Sequence, residues 1–426
     1  MNESNLSDDT KVGRSNVLGS LAPLVFIAIL VFNGTFFRIR PAEELPEMDW
    51  LVLVRLITSA FGFVIGTILI LKSHARFGLG SIVLTIFLVA TGISAINSSY
   101  PTIVIGYVAL LLGASILVLG LVYTAPDLKR LEQLEKIWFS VIGVCAIKDA
   151  ITSFIFPDPA AGEEIIRLGM GTTHANQLGL LAGLVFWLSF KQTKANSILW
   201  LLRIAMLGII IGAISRVGIL SFFVGGFAYF FLRAREVNMK WIVTLTCLSG
   251  IVFVLLAFSL NPRWGNKAVL YGKRGQSKAE FFALTGRTDI WRQVIRQIPE
   301  APFTGHGYGI SRFTLKPITW DFQAAHCHNE MLEALFSTGI LGFIALLLLY
   351  IYNLKWLISF SRLKGIFSCD LALHASIVVV MFLVSALFEA RIAVKLLPFQ
   401  PLFFFYLIIL DREKYFFNTK KLLEEQ

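Results

Sequence analysis

The sequence predicts an all-α polytopic membrane protein, and three observations carry that expectation: its apolar content, recurring apolar runs of bilayer length, and alternating basic charge in the connectors. Of 426 residues 56% are hydrophobic, and the mean hydropathy is +0.73. That is more apolar surface than one water-soluble globule can hide. Runs of ~17–25 apolar residues, enough to cross a bilayer as helix, recur about twelve times.

The expected spans are Val17–Phe37, Leu51–Leu71, Leu79–Ile96, Thr102–Tyr123, Ile137–Phe156, Thr172–Phe190, Ser197–Ser215, Val217–Leu232, Trp241–Leu260, Met331–Asn353, Leu371–Phe388 and Leu397–Leu410. The first is full length and lacks a small-residue cleavage site after it, so no cleavable signal peptide is expected. Residues 1–426 read as one membrane domain, with spans in about 17–260 and 331–410.

Basic residues concentrate in alternate connectors: Lys11/Arg14, Lys72/Arg76, Lys129/Arg130/Lys136, Lys191/Lys194, Arg233/Arg235/Lys240, Lys355/Arg362/Lys364 and Arg412/Lys414/Lys420/Lys421. Lys and Arg are retained on the cytoplasmic side, so both termini are expected there. The net charge of +11 follows largely from this pattern and is no sign of a nucleic-acid partner. The four cysteines are dispersed, and Cys327 has no partner in its loop, which excludes a disulfide within it.

The connector Asn261–Glu330, about 70 residues between the ninth and tenth spans, is far longer than a helix link needs, and such loops are often functional. By charge parity it lies outside. Ile290, Trp291, Val294, Ile295 and Ile298 recur at helical spacing, with Arg292 and Arg296 on the polar side, which suits a helix over Thr288–Ile298 lying flat at the interface. Pro299 and Pro302 end it, and Gly305-His306-Gly307-Tyr308-Gly309 reads as a flexible turn.

The apolar run Ser197–Leu232 would make about 54 Å of helix against a hydrocarbon core of about 30 Å, so it must reverse. Its flanks share one side, which puts the reversal near Ser215-Arg216 at the outer face. An arginine there needs a partner or a wet cavity, or lies at a span end where it snorkels. Arg167 and His174 also fall on the outer side as loop residues, with Thr172 or Thr173 capping the following helix. Arg203, near the cytoplasmic end of its span, is placed to snorkel. Lys148 and Asp149, adjacent within a span, are expected to pair with other helices, since neighbouring helical positions point apart.

His326-Cys327-His328-Asn329-Glu330 closes the long loop at the start of an apolar helix. Asn329 suits the N-cap, and a helix N-terminus attracts anions while disfavouring imidazolium. That fits His328 for general-base work. Two other readings remain: a structural cap histidine, or a His-x-His metal pair whose third ligand, His306 or Glu330, has no recognisable spacing. Arg167, Arg216, Arg287, His326 and His328 together on one face would suit a lipid-linked pyrophosphate, since guanidinium forks match phosphate geometry.

Thr285-Gly286-Arg287-Thr288-Asp289-Ile290-Trp291, Pro302 to Gly309, His326 to Glu330 and Thr338-Gly339-Ile340-Leu341-Gly342, with Ser215-Arg216 and Arg167 upstream of Asn176, resemble the O-antigen ligase and polymerase family. The resemblance implies a fold similar to C-type membrane glycosyltransferases, in a bacterial inner membrane, with the 261–330 loop periplasmic and part of the active site. It implies transfer of glycan from undecaprenyl pyrophosphate to an acceptor sugar hydroxyl, without metal or other cofactor. Arg216 and Arg287 match the pyrophosphate-binding arginines and His328 the essential histidine. Arg167, His326, Asn329 and Glu330 match possible substrate contacts. The Gly-Arg-Thr-Asp-Ile-Trp and Gly-His-Gly-Tyr-Gly stretches lean toward a polymerase; a ligase acting on lipid A-core is the alternative, and glycan attachment to protein a third family activity. A twelve-span transporter is the reading from another class, but its two halves should resemble each other, and none of that is visible here.

Overall fold

The computed structural model describes residues 20–33, 48–73, 77–155, 168–169, 174–190, 197–237, 287–316, 324–359 and 369–424. The expected span Trp241–Leu260, Arg167 and most of the first part of the long loop lie outside them. Every other expected span overlaps a helix, and among the described residues there is no strand. The elements are α1 (Ser20–Asn33), α2 (Trp50–Ser73), α3 (Leu79–Ile93), α4 (Pro101–Tyr123), α5 (Leu128–Ile155), α6 (Ala175–Leu188), α7 (Ser197–Gly212), α8 (Arg216–Val237), α9 (Arg287–Gln297), α10 (Ser311–Thr314), α11 (Glu330–Ser359), α12 (Cys369–Ala386) and α13 (Phe399–Glu424).

Four helical stretches are long and apolar enough to cross a membrane: Trp50–Ser73, Pro101–Tyr123, Leu128–Ile155 and Glu330–Lys355. The other apolar helices are shorter. Exposed Leu, Ile, Val and Phe side chains line their outward faces, as lipid contact requires, so packing between helices rests on close fit rather than on escape from water. The α2–α4 seam shows how. Gly66 lies against the backbone of Ile116 and Leu117, and Gly113 against that of Ser59, so that a methyl group on either would collide with main chain.

At one end of the bundle the Asp411 carboxylate accepts the Gly80 and Ser81 N–H groups at 3.1 and 2.9 Å and the Tyr352 hydroxyl at 2.6 Å, tying α3, α11 and α13 together. Arg203 does not snorkel. Its side chain is 5% exposed, donates to the Ser189 hydroxyl and carbonyl at 2.8 Å each, and lies over the Phe190 ring. It closes the C-terminal end of α6, where carbonyls lack helical partners. Lys148 and Asp149 meet each other although neighbouring helical positions point apart: the flexible ammonium bends back to the buried carboxylate at 2.8 Å.

The expected tenth span is two helical pieces. Gly339, at φ 64° and ψ −167°, breaks α11, and the loop 301–309 satisfies the opened backbone. His306 and Gly307 donate to the Phe336 and Ser337 carbonyls at 2.9 Å, and Ile340 donates to the Pro302 carbonyl at 2.9 Å. Non-helical backbone at membrane depth must find such partners within the protein. The Gly-His-Gly-Tyr-Gly stretch is therefore a fixed surface, with all three glycines at positive φ, rather than a flexible turn. Helix α9 forms within one residue of its expected bounds; Ile290 and Val294 pack on Phe336 and Cys327, while Ile295 stays exposed.

Candidate functional site

The reversal expected near Ser215-Arg216 is present. Helix α7 ends at Gly212, Ile214 takes a positive φ of 46°, and α8 begins at Arg216. The Ser215 hydroxyl accepts the Gly218 N–H at 3.0 Å, an N-cap, and donates to the Asn176 Oδ1 at 3.0 Å. That second bond fixes the Asn176 amide, whose Nδ2 then donates to Glu389 at 2.5 Å. Helix α6 is capped by His174, whose Nδ1 accepts the Asn176 N–H at 3.3 Å; Thr172 and Thr173 precede the cap.

Glu389 is the hub, and sequence reading missed it. It sits in the connector after α12 with its side chain 1% exposed. Its Oε1 accepts from Arg287 Nη2 at 2.9 Å, lies 3.3 Å from His328 Nδ1 and takes the Asn176 amide; its Oε2 lies 3.4 Å from His326 Nε2. The Arg216 guanidinium is near enough to that of Arg287 to feel its charge. Four stretches far apart in sequence thus meet at one carboxylate: the starts of α6 and α9, the loop before α11, and the α12–α13 connector.

Each arm is held locally. Asn329 caps α11 through its Oδ1, which accepts the Met331 and Leu332 N–H groups at 3.0 Å, while its Nδ2 donates to the Leu387 carbonyl at 3.1 Å. Immediately before it, His328 adopts a left-handed φ of 49°, a conformation costly for a residue with a side chain and common at functional sites. The His328 N–H reaches His326 Nδ1 at 3.0 Å, and the two rings lie 4.1 Å apart. Glu333 accepts from Ser311, from Ser337 and from the Cys327 N–H, and the Trp291 indole donates to the Cys327 carbonyl at 2.9 Å.

Glu330, matched above to a substrate contact, is fully buried and turned to the backbone. It accepts the successive N–H groups of Arg391, Ile392 and Ala393 at 2.5–3.0 Å, a concave main-chain cradle for an anion. In this way it aims the connector that carries Glu389. Arg391 is buried beside it, donating to the Asn176 carbonyl at 3.2 Å and the Ser385 hydroxyl at 3.2 Å.

Burial opposes ionisation of Glu389, yet the hydrogen bond and charge of His328, with Arg391 and His326, hold its carboxyl well below the usual carboxylate range. Burial, then neighbouring His328, push the His326 imidazole well below its ordinary value, against the pull of Glu389. The Cys327 thiol is driven well up by burial and by Glu333, so it stays an inert core thiol.

His326, His328 and Glu389 place one ligand atom each within 4.8 Å of one another, a set that could hold a metal ion. The two third ligands considered from sequence are engaged elsewhere: His306 stacks on Phe336 and faces the Gln297 carbonyl, and Glu330 holds the connector. The signal for Glu389 was the pair Glu389 and Arg391 in a short connector between two apolar runs, where an unpaired charge is costly.

The family model described as O-antigen ligase matches residues 201–347, which span Arg216, Arg287, His326 and His328 and stop short of Glu389. An uncharacterized protein of Haemophilus influenzae is 30% identical over 135 residues, covering 28% of this chain. The match spans 33% of that relative's length. With its all-helical described residues and apolar membrane-length helices, the chain is similar over residues 201–347 to the O-antigen ligase family.

Proposed function

We propose that the protein transfers glycan from undecaprenyl pyrophosphate to an acceptor sugar hydroxyl at the periplasmic face of the inner membrane, as a polysaccharide polymerase. The observation that carries this reading is the His328 Nδ1 to Glu389 Oε1 pair set beside the guanidiniums of Arg287 and Arg216. With Nδ1–H donated to Glu389, the lone pair of His328 lies on Nε2, and the carboxylate holds the ring in that tautomer. Nε2 takes the acceptor hydroxyl proton as that oxygen forms its bond to the anomeric carbon. The bond from that carbon to the pyrophosphate oxygen breaks, and the electron pair leaves on the pyrophosphate.

Arg216 and Arg287 offset the charge that grows there, a role suited to donors held in place before reaction. Arg287 has five N–H donors, so its bond to Glu389 leaves others to point at phosphate. Two guanidiniums supply the cationic charge that a metal would otherwise provide, which supports transfer without one. Arg167, His326 and Asn329 serve substrate contacts in this scheme, and Glu330 acts on the connector rather than on the substrate.

Purified protein given a lipid-pyrophosphate glycan, with and without lipid A-core and in the presence of chelator, tests the reading. A ladder of products marks a polymerase. A single shifted band that requires lipid A-core marks the ligase alternative, and loss of turnover with chelator contradicts the metal-free scheme.

A further inference from the structure

We propose that His326, His328 and Glu389 form a binding site for a divalent transition-metal ion of the zinc class, and that metal capture there silences His328. Two imidazoles and a carboxylate are a donor set that zinc favours. Nitrogen and oxygen ligands at about 2.0–2.2 Å around a tetrahedral ion stand about 3.4 Å from one another. His326 Nε2 lies 3.4 Å from Glu389 Oε2 and His328 Nδ1 3.3 Å from Glu389 Oε1, so each imidazole already stands at that spacing from one oxygen of the carboxylate. All three ligand atoms fall within 4.8 Å. The side chains of both histidines are about one-fifth exposed, which leaves an entry path.

Binding and transfer require opposite tautomers of His328. A metal on Nδ1 needs the lone pair there and leaves the proton on Nε2, which can then accept none from an acceptor hydroxyl. His326 must switch tautomer as well. Its Nδ1 now accepts the His328 N–H at 3.0 Å; a metal on Nε2 puts the ring proton on Nδ1, opposite that N–H, so the bond is lost and the ring turns away from it. The remaining opponents are Arg287, whose guanidinium holds Glu389 Oε1 at 2.9 Å and repels a second cation, and Asn176, whose amide donates to the same oxygen at 2.5 Å. The metal therefore competes with Arg287 for the carboxylate, and inhibition is the expected consequence rather than assistance. The binding claim stands apart from the transfer scheme; the silencing claim rests on it.

The test uses the full chain in detergent, purified without a polyhistidine tag and titrated with Zn²⁺ against a zinc-sensitive chromophore in the absence of substrate. One equivalent should bind, and Ca²⁺ and Mg²⁺ should not compete. Since even outer partners of a ligand are worth 10–100-fold in affinity, His326→Gln and His328→Ala should each weaken binding by about 100-fold. Arg287→Gln should bind zinc several-fold more tightly. Melting curves of each variant separate loss of a ligand from loss of the fold. No stoichiometric binding, or equal affinity in wild type and in correctly folded histidine variants, overturns the site. Zinc bound with turnover undiminished overturns the silencing. A protein that binds zinc as described but never transfers glycan removes the scheme above and leaves the site standing.

Discussion

Two buried carboxylates, each paired with histidine, sit at opposite ends of α6 and α12, and they do different work. Glu135 lies 2.8 Å from His374 Nδ1 and accepts the Tyr406 hydroxyl at 2.5 Å; His374 Nε2 faces the Phe190 carbonyl at 3.1 Å. Both ring nitrogens are engaged and the His374 side chain is 0% exposed. Glu389 meets His328 through Nδ1 alone, and that ring is 20% exposed, with no partner at Nε2 among the described residues. One pair is sealed and joins α5, α12 and α13. The other keeps a nitrogen and a path to it. Pairing alone therefore does not mark chemistry in a membrane interior; an accessible unfilled valence beside further cations does.

His328→Ala should lower turnover by about 10²–10⁴-fold, the usual worth of a general base, with melting behaviour close to wild type. Arg216→Ala should cost about 10²–10³-fold, by loss of charge stabilisation at the leaving group. Normal activity in either removes that residue from the mechanism. Glu389→Gln keeps the shape of the hub but not its charge. It should reduce kcat more than it raises KM, and a change confined to KM would sink its role in orienting His328.

At the sealed pair the outcome reverses. His374→Ala removes the imidazole from Glu135 but leaves the Tyr406 hydroxyl, and should cost about 1–3 kcal/mol of stability, while the activity of the protein that does fold stays near normal. Activity lost at unchanged melting temperature would erase the contrast between the two ends.

The smallest effects lie in pH dependence. His326 is held neutral by burial, so the unfolded chain binds its proton first as pH falls. Stability should begin to drop below about pH 6.5, the ordinary histidine value, and His326→Gln should flatten that limb. Glu389 is held ionised, so its contribution is present at neutral pH and fades only as pH falls below about 4.3 through its lower folded value. Identical melting profiles for wild type and the His326→Gln variant between pH 7 and 5 would contradict the first window.

Much was legible along the chain because its signals are local. A 3.6-residue apolar period, a run too long for one crossing, and an Asn before an apolar helix each depend on neighbours a few positions away. The reversal at Ser215-Arg216, the cap at Asn329 and the helix beginning at Arg287 follow from such signals. Where expectation failed, a distant segment had intervened. Arg203 found the end of α6 instead of water, and Gly339 opened α11 to admit the loop 301–309.

The amino-acid order by itself determined that this chain is helical and apolar, where its helices lie, and that its polar residues of interest gather in a few short stretches. Only tertiary structure decided that Glu389 is the point where those stretches meet, that Glu330 serves the backbone, and that His328 keeps one nitrogen open while His374 keeps none. The reason is physical. Periodicity is written between neighbours, but the fate of a buried charge depends on which distant groups the folded chain brings within about 3 Å of it.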